Sequence, residues 1–333
     1  MIRSLRVADP TCRVFVLCLD VACHRILQAM RLAGVSLVRL EEFEDPELLK
    51  AKSNRSLVEY YWTCTPSWIL YCLRQFGLDR CTYVDADVYF FSDPRPLVEE
   101  GGANAALITE HRFSPAYQEY AVNGIYNVQF MTFRGDSKGK QILDWWRAAC
   151  NQWCYYRLED GKLGDQKYLD DWPERFSGVH VLRHPGGGMG PWNVQQYEFV
   201  SQSSSTIKLR AVLRESKTDF PVVFYHFHNF RMYPGGYAKA IFYEISDAAW
   251  KNLYHPYIKA LLKAELEVCK QTHRKFSGGL EPDDESVPSV LSGLKNKNNL
   301  SERYLVFDWN RFRGFAGWRA WICRTQAPQA FIF

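Results

Sequence analysis

The chain has 333 residues and a net charge of +4, with 11 Trp, 19 Tyr and 10 Cys. A single domain of this size buries about three quarters of its unfolded surface, so it holds a full core without disulfides. The small positive charge, with no Lys/Arg-rich run and no aromatic RNA-binding signature, argues against a nucleic-acid partner. No run of about eighteen apolar residues occurs, and Met1 to Pro10 has basic residues but no apolar core. Neither a membrane span nor a signal peptide is therefore expected, and the setting predicted is the cytoplasm. The cysteines fall inside apolar segments (Cys18, Cys72, Cys81) or one helical turn apart (Cys150, Cys154). Without a C-x-x-C or a matching His pair, reduced thiols are the expectation.

In chain order, Arg13 to Leu19 reads as a buried strand, Val21 to Leu32 as a helix and Val35 to Leu40 as a second strand, a βαβ alternation. A helix is predicted over Glu47 to Phe76, interrupted at Pro66, and it delivers the chain to an apolar strand beginning at Cys81. Ala105 to Thr109 and Val128 to Phe133 read as further strands, and Lys138 to Trp153 as an amphipathic helix. Residues 276–302 are rich in Gly, Pro, Ser, Asp, Asn and Lys and predict a flexible linker after a domain over 1–275. Residues 303–333 return as an aromatic and basic tail, whose Trp, Phe and Leu among arginines suit a membrane-surface segment as well as a tail packed on its own domain.

The most informative stretch is CTYVDADVYFFSDP, Cys81 to Pro94, where an apolar strand runs into Asp85 and Asp87. In an extended strand alternate side chains share a face, so the two carboxylates would lie about 7 Å apart at Cα and converge on one cation. Hard oxygen donors at a strand end suit Mg²⁺ or Mn²⁺ carrying a diphosphate, although a solvated surface turn would also read D-x-D. Gly186, Gly187, Gly188 and Gly190 form a loop able to bring backbone N–H groups to phosphate, or simply a turn. Trp192, just after it, is the best candidate for stacking on a sugar face, and His184 at its start for orienting substrate.

Seven segments together resemble the nucleotide-sugar-dependent glycosyltransferases of the GT-A fold, especially the family-8-like retaining enzymes. They are EYYWTCTPS (Glu59 to Ser67), YVDADVYFFSDP (Tyr83 to Pro94), EHRFSP (Glu110 to Pro115), GIYNVQFMTFR (Gly124 to Arg134), LGDQKYLDDWPERF (Leu163 to Phe176), HPGGGMGPWN (His184 to Asn193) and FYHFHNF (Phe224 to Phe230). The likeness spans residues 1–235 and implies an α/β Rossmann-like fold, a mixed but mostly parallel sheet flanked by helices. It also implies sugar transfer from a nucleoside-diphosphate sugar to a saccharide or lipid-linked acceptor; the tail's composition suits peripheral contact at the inner membrane face with a lipid-linked one. A divalent metal, Mn²⁺ or Mg²⁺, would be bound by Asp85, Asp87 and His226, with His228 as the alternative third ligand; an imidazole suits Mn²⁺ better. Asn127, Asp165 and Gln166 match positions that bind the donor sugar, joined by Asp85, Gly187, Gly188 and Trp192, although Asp165 also suits a cap on the helix starting near Lys167.

The chain departs from that pattern twice. Gln129 stands where many relatives carry glycine, and Met1 to Asp20 resembles the end of the family's first helix leading into its second strand. The first strand thus has no counterpart, which predicts either an upstream extension that supplies it or a different way of holding the base. Two rival readings remain: a non-catalytic sugar-nucleotide-binding protein, and a haloacid-dehalogenase-type phosphatase whose first Asp would be a nucleophile.

Overall fold

The computed structural model describes residues 1–202, 206–212, 218–233, 237–272 and 305–306. The chain begins with helix α1 (Ile2–Ala8), strand β1 (Val14–Cys18), helix α2 (Val21–Met30) and strand β2 (Val35–Arg39). The Asp20 carboxylate caps α2 by accepting from the Cys23 N–H at 2.7 Å, and the helix ends on Arg31 in the left-handed region. β1 and β2 pair in parallel, as the βαβ alternation predicts.

Helices α3 (Leu40–Phe43), α4 (Pro46–Lys52) and α5 (Leu57–Gln75) follow. The single helix expected over Glu47 to Phe76 is therefore two, and the break lies before Leu57, not at Pro66. The cause is local: Ser56 and Glu59 form a capping box that starts a new helix, while Pro66 sits buried within α5. Strand β3 (Arg80–Val84) then leads to β4 (Val88–Phe90), helix α6 (Arg95–Glu100), β5 (Ala106–Glu110), a 3-10 stretch over Pro115–Asn123, β6 (Tyr126–Arg134) and helix α7 (Ser137–Gln152). Next come a 3-10 turn at Gln166–Asp171, helix α8 (Trp172–Arg175) and strands β7 (Val179–Val181), β8 (Tyr197–Gln202), β9 (Ile207–Ala211), β10 (Asp219–Pro221), β11 (Phe224–His226), β12 (Phe230–Tyr233) and β13 (Tyr237–Ala240). A short helix α9 (Asp247–Ala249) runs through a π-helical turn into α10 (His255–Thr272), and β14 (Leu305–Val306) pairs with β13.

The protein is thus a mixed α/β fold with several small sheets rather than one mostly parallel sheet. Among the described residues, parallel pairing between named strands is confined to β1–β2 and β5–β7. The central four-stranded sheet runs β3-β6-β5-β7, with β6 antiparallel to both of its neighbours. β6 carries YNVQFMTFR, and Phe130, Met131 and Phe133 are all buried, because both faces of the sheet are covered. One face packs on α5, α7 and α8 through Trp68, Trp146 and Trp172; truncating such a buried Trp costs about 3–5 kcal/mol. The other face packs Val84, Val88, Phe90 and Phe130 against Phe224 and α1. Among the described residues β1 pairs only with β2 and β3 only with β6. The linker expected at 276–302, and the tail at 303–333 apart from Leu305–Val306, lie outside the described residues.

Candidate metal centre and its surroundings

Asp85 and Asp87 leave the end of β3 in a turn, not an extended strand: the Val88 N–H donates to the Asp85 carbonyl at 3.2 Å. This corrects the alternating-face expectation, and the convergence of the two carboxylates comes from chain reversal. β11 pairs antiparallel with β4, setting His226 opposite Val88, and the Phe227 N–H donates to the Asp87 carbonyl at 3.0 Å. One ligand atom each from Asp85, Asp87 and His226 lies within 4.8 Å of the others. His226 Nε2 is 2.9 Å from an Asp87 oxygen and 3.8 Å from one of Asp85. The His226 side chain is 6% exposed, Asp85 20% and Asp87 44%, so the cluster is open at Asp87.

The donor set fits a hard or borderline divalent cation: two carboxylates and one imidazole nitrogen facing them. Gln129 Oε1 lies 3.0 Å from His226 Nδ1, and an amide oxygen only accepts, so Nδ1 donates to it; Nε2 faces the carboxylates and donates to Asp87 when the imidazole is charged. Burial alone would lower the His226 imidazole, but the charge and hydrogen bond of Asp87, with Asp85 behind it, raise it above its ordinary value. Removal from water pushes the Asp87 carboxyl up, yet the His226 charge and hydrogen bond bring it below the usual range. Asp85 is pushed up to about 6, chiefly by burial; the Tyr83 hydroxyl donates to it at 2.8 Å and acts the other way.

Asp165, 3% exposed, lies near enough for Asp85 to disfavour its charge. Burial is the larger effect, and together they push its carboxyl up to about 7 against a hydrogen bond from Thr65. Asp165 Oδ2 is buried without a partner among the described residues. The side chain does not cap the 3-10 turn that follows it, so the capping alternative fails. Gln166 is half-buried beside Gly124, whose φ of +136° lets the chain pass close to the Gln166 amide. Asn127 is buried between protein partners: its amide N–H contacts His111 Nε2 at 2.8 Å and its oxygen accepts from the Gln129 N–H at 2.7 Å.

Other expected site residues are placed differently. Trp192 is 1% exposed; its indole N–H donates to the His111 carbonyl at 2.9 Å, and its ring meets His111, His226 and His228 edge-on. It supports the imidazoles and offers no open face for a sugar. The glycine loop is a packing device: the Gly186 and Gly187 N–H groups donate to His184 Nδ1 and its carbonyl, and that of Gly190 to Asn193 Oδ1 at 3.1 Å. Gly188 has φ +76°, and a Cβ there would lie 2.5 Å from Thr109 Cγ2. His184 therefore shapes the loop, and burial holds its pKa down. His228 stands outside the cluster, with Nδ1 3.3 Å from the Tyr243 hydroxyl, and burial pushes it down to about 4.

Sequence reasoning assigned no role to His111, Tyr83 or Thr65, and it took Gln129 only as a departure. His111 is buried, its Nδ1 3.1 Å from the Ile125 carbonyl, and burial lowers it to about 3; it is a neutral link between β5 and β6. Its place in EHRFSP was the only signal.

No protein-family model matches the chain. Fold and site define a mixed α/β protein with a carboxylate–histidine cluster where two strand segments meet. The uncharacterized protein YfnD of Bacillus subtilis (strain 168) is 31% identical over 288 residues, covering 85% of this chain and 89% of that protein. The uncharacterized protein YfnF of the same organism is 32% identical over 240 residues, covering 70% of this chain and 77% of that protein. The chain belongs to the family of these two proteins.

Proposed function

We propose that the protein is a metal-dependent glycosyltransferase of the GT-A type, moving a sugar from a nucleoside-diphosphate sugar to a saccharide or lipid-linked acceptor with retention. The observation that carries this reading is the meeting of Asp85, Asp87 and His226 from two strand segments, beside the buried carboxyl of Asp165. The order of motifs around them supports it. Asp85, Asp87 and His226 would hold a Mn²⁺ or Mg²⁺ ion, which when bound would supply Lewis-acid neutralisation of the charge on a departing nucleoside diphosphate. Asp165 accepts from a donor-sugar hydroxyl through its unpartnered Oδ2, and Gln166 offers an amide close by. Asn127, held by His111 and by the Gln129 backbone, keeps one amide hydrogen for the same sugar. No described helix is long and apolar enough to cross a membrane. We place the reaction in the cytoplasm, with lipid-linked acceptors reached at the membrane surface.

The test is a panel of sugar nucleotides with Mn²⁺, read first by thermal shift, since a ligand bound only to the native state raises stability, and then by release of nucleoside diphosphate. Asp85→Ala and Asp87→Ala should fold and lose metal-dependent turnover. Wild-type turnover in either variant removes the metal assignment. Release of free phosphate instead points to a phosphatase, and binding without turnover to a sugar-nucleotide-binding protein.

A further inference from the structure

We infer that Gln129 is the positioning residue of the candidate metal centre, holding His226 in the tautomer whose Nε2 is free to take a divalent cation. The inference rests on the metal reading of the cluster, though not on glycosyl transfer. A neutral imidazole can ligate through Nε2 only if its proton sits on Nδ1, and an acceptor facing Nδ1 fixes that choice. Gln129 Oε1 is that acceptor, at 3.0 Å.

Gln129 is itself fixed. It is 0% exposed, its N–H donates to Asn127 Oδ1 at 2.7 Å, and its carbonyl accepts from the Asp85 N–H at 3.1 Å. One residue of β6 thus ties down both halves of the cluster, the aspartate turn through its main chain and the histidine through its side chain. Glycine at this position would keep the first tie and lose the second.

The amide also carries a penalty. Its Nε2 is buried with no partner among the described residues, and an unpaired buried donor is destabilising. Methionine, of similar length, would avoid that penalty, so stability alone does not account for glutamine here. Turning the amide over would aim Nε2 at Nδ1. The proton would then lie on His226 Nε2, where it blocks a cation.

The experiment uses the full chain. Mn²⁺ binding is measured by calorimetry for the unsubstituted protein, Gln129→Met, Gln129→Glu and Asp87→Ala, with thermal melting of each. Imidazole tautomers are read by NMR on ¹⁵N-histidine-labelled, metal-free protein. Gln129→Met should weaken Mn²⁺ about 10- to 100-fold while melting within a few degrees of the parent, and Gln129→Glu, which keeps an acceptor in place, should restore most of the affinity. His226 should carry its neutral-state proton on Nδ1. Equal Mn²⁺ affinity in Gln129→Met, no rescue by Gln129→Glu, or a neutral imidazole whose single proton sits on Nε2, read in the parent at a pH above the His226 titration, overturns the inference; the last reading decides even if the methionine variant fails to fold. Failure of the parent to bind Mn²⁺, or binding unchanged by Asp87→Ala, overturns the metal centre and this inference with it. Normal metal binding without sugar transfer overturns only the proposed function.

Discussion

Replacing Asp165 by Asn should stabilise the metal-free protein by an amount that grows with pH and, on the glycosyltransferase reading proposed above, abolish turnover. Burial, reinforced by Asp85, pushes the Asp165 carboxyl up to about 7 from an ordinary value of 3.8. Between those values the folded state holds a proton that the unfolded state has released. Stability contributed by the protonated form is thus lost as pH rises, and above about 7 the full cost of a buried carboxylate is present. From pH 5 to pH 7 that is two units at about 1.4 kcal/mol each, less a few tenths because the carboxyl is already half ionised at 7, or about 2–3 kcal/mol. Asparagine has nearly the same shape and never ionises, so it escapes this loss.

Urea unfolding in the presence of EDTA, at pH 5, 6, 7 and 8, measures the effect as the difference in unfolding free energy between Asp165→Asn and the parent. The difference should rise by about 2–3 kcal/mol between pH 5 and 7 and then level off. Any constant offset from altered hydrogen bonding to Thr65 cancels in the comparison. A difference that stays flat across this range would refute the reasoning, because it would mean that Asp165 ionises as freely in the folded protein as in the unfolded one. If the proposed glycosyl transfer holds, the same variant should lack it, a trade of activity for stability expected where a buried charge serves function.

The regular elements were readable because their periodicity is local. VFVLC, VSLVR and YNVQFMTFR form strands, and the apolar face of SKGKQILDWWRAACNQ forms a helix, within a residue or two of expectation. The candidate metal residues were readable as types, and the resemblance put His226 ahead of His228, but the physical reason for that order was not legible. It follows from register: antiparallel pairing of β11 with β4 sets His226 beside the aspartate turn, while His228 lies past the strand end, just before Asn229 at φ 55°, and reaches Tyr243. The role of Gln129 was equally invisible. Its partner His226 is 97 residues away in sequence, and only the fold brings the two together. The break in the long helix was misread because Pro66 is a strong breaker on average, whereas the Ser56 capping box is a weaker signal that tertiary packing favours. Trp192 was assigned by its neighbourhood in sequence, which says where a ring lies along the chain but not whether either face meets solvent.

Two further outcomes follow from the placement of these rings. His226→Ala should weaken Mn²⁺ binding far more than His228→Ala, since only His226 stands among the ligand atoms; titration of both variants checks this, and the reverse order would move the third ligand to His228. Trp192→Phe should destabilise the fold without changing donor affinity. It removes a hydrogen bond to the His111 carbonyl worth about 0.5–1.5 kcal/mol and leaves a void against His226 and His228 that adds roughly 1–3 kcal/mol. A lower melting temperature with an unchanged dissociation constant for the sugar nucleotide is therefore expected. Weaker donor binding with unchanged melting would mean that a ring face opens to the sugar after all, and that the indole does more than hold the imidazoles in place.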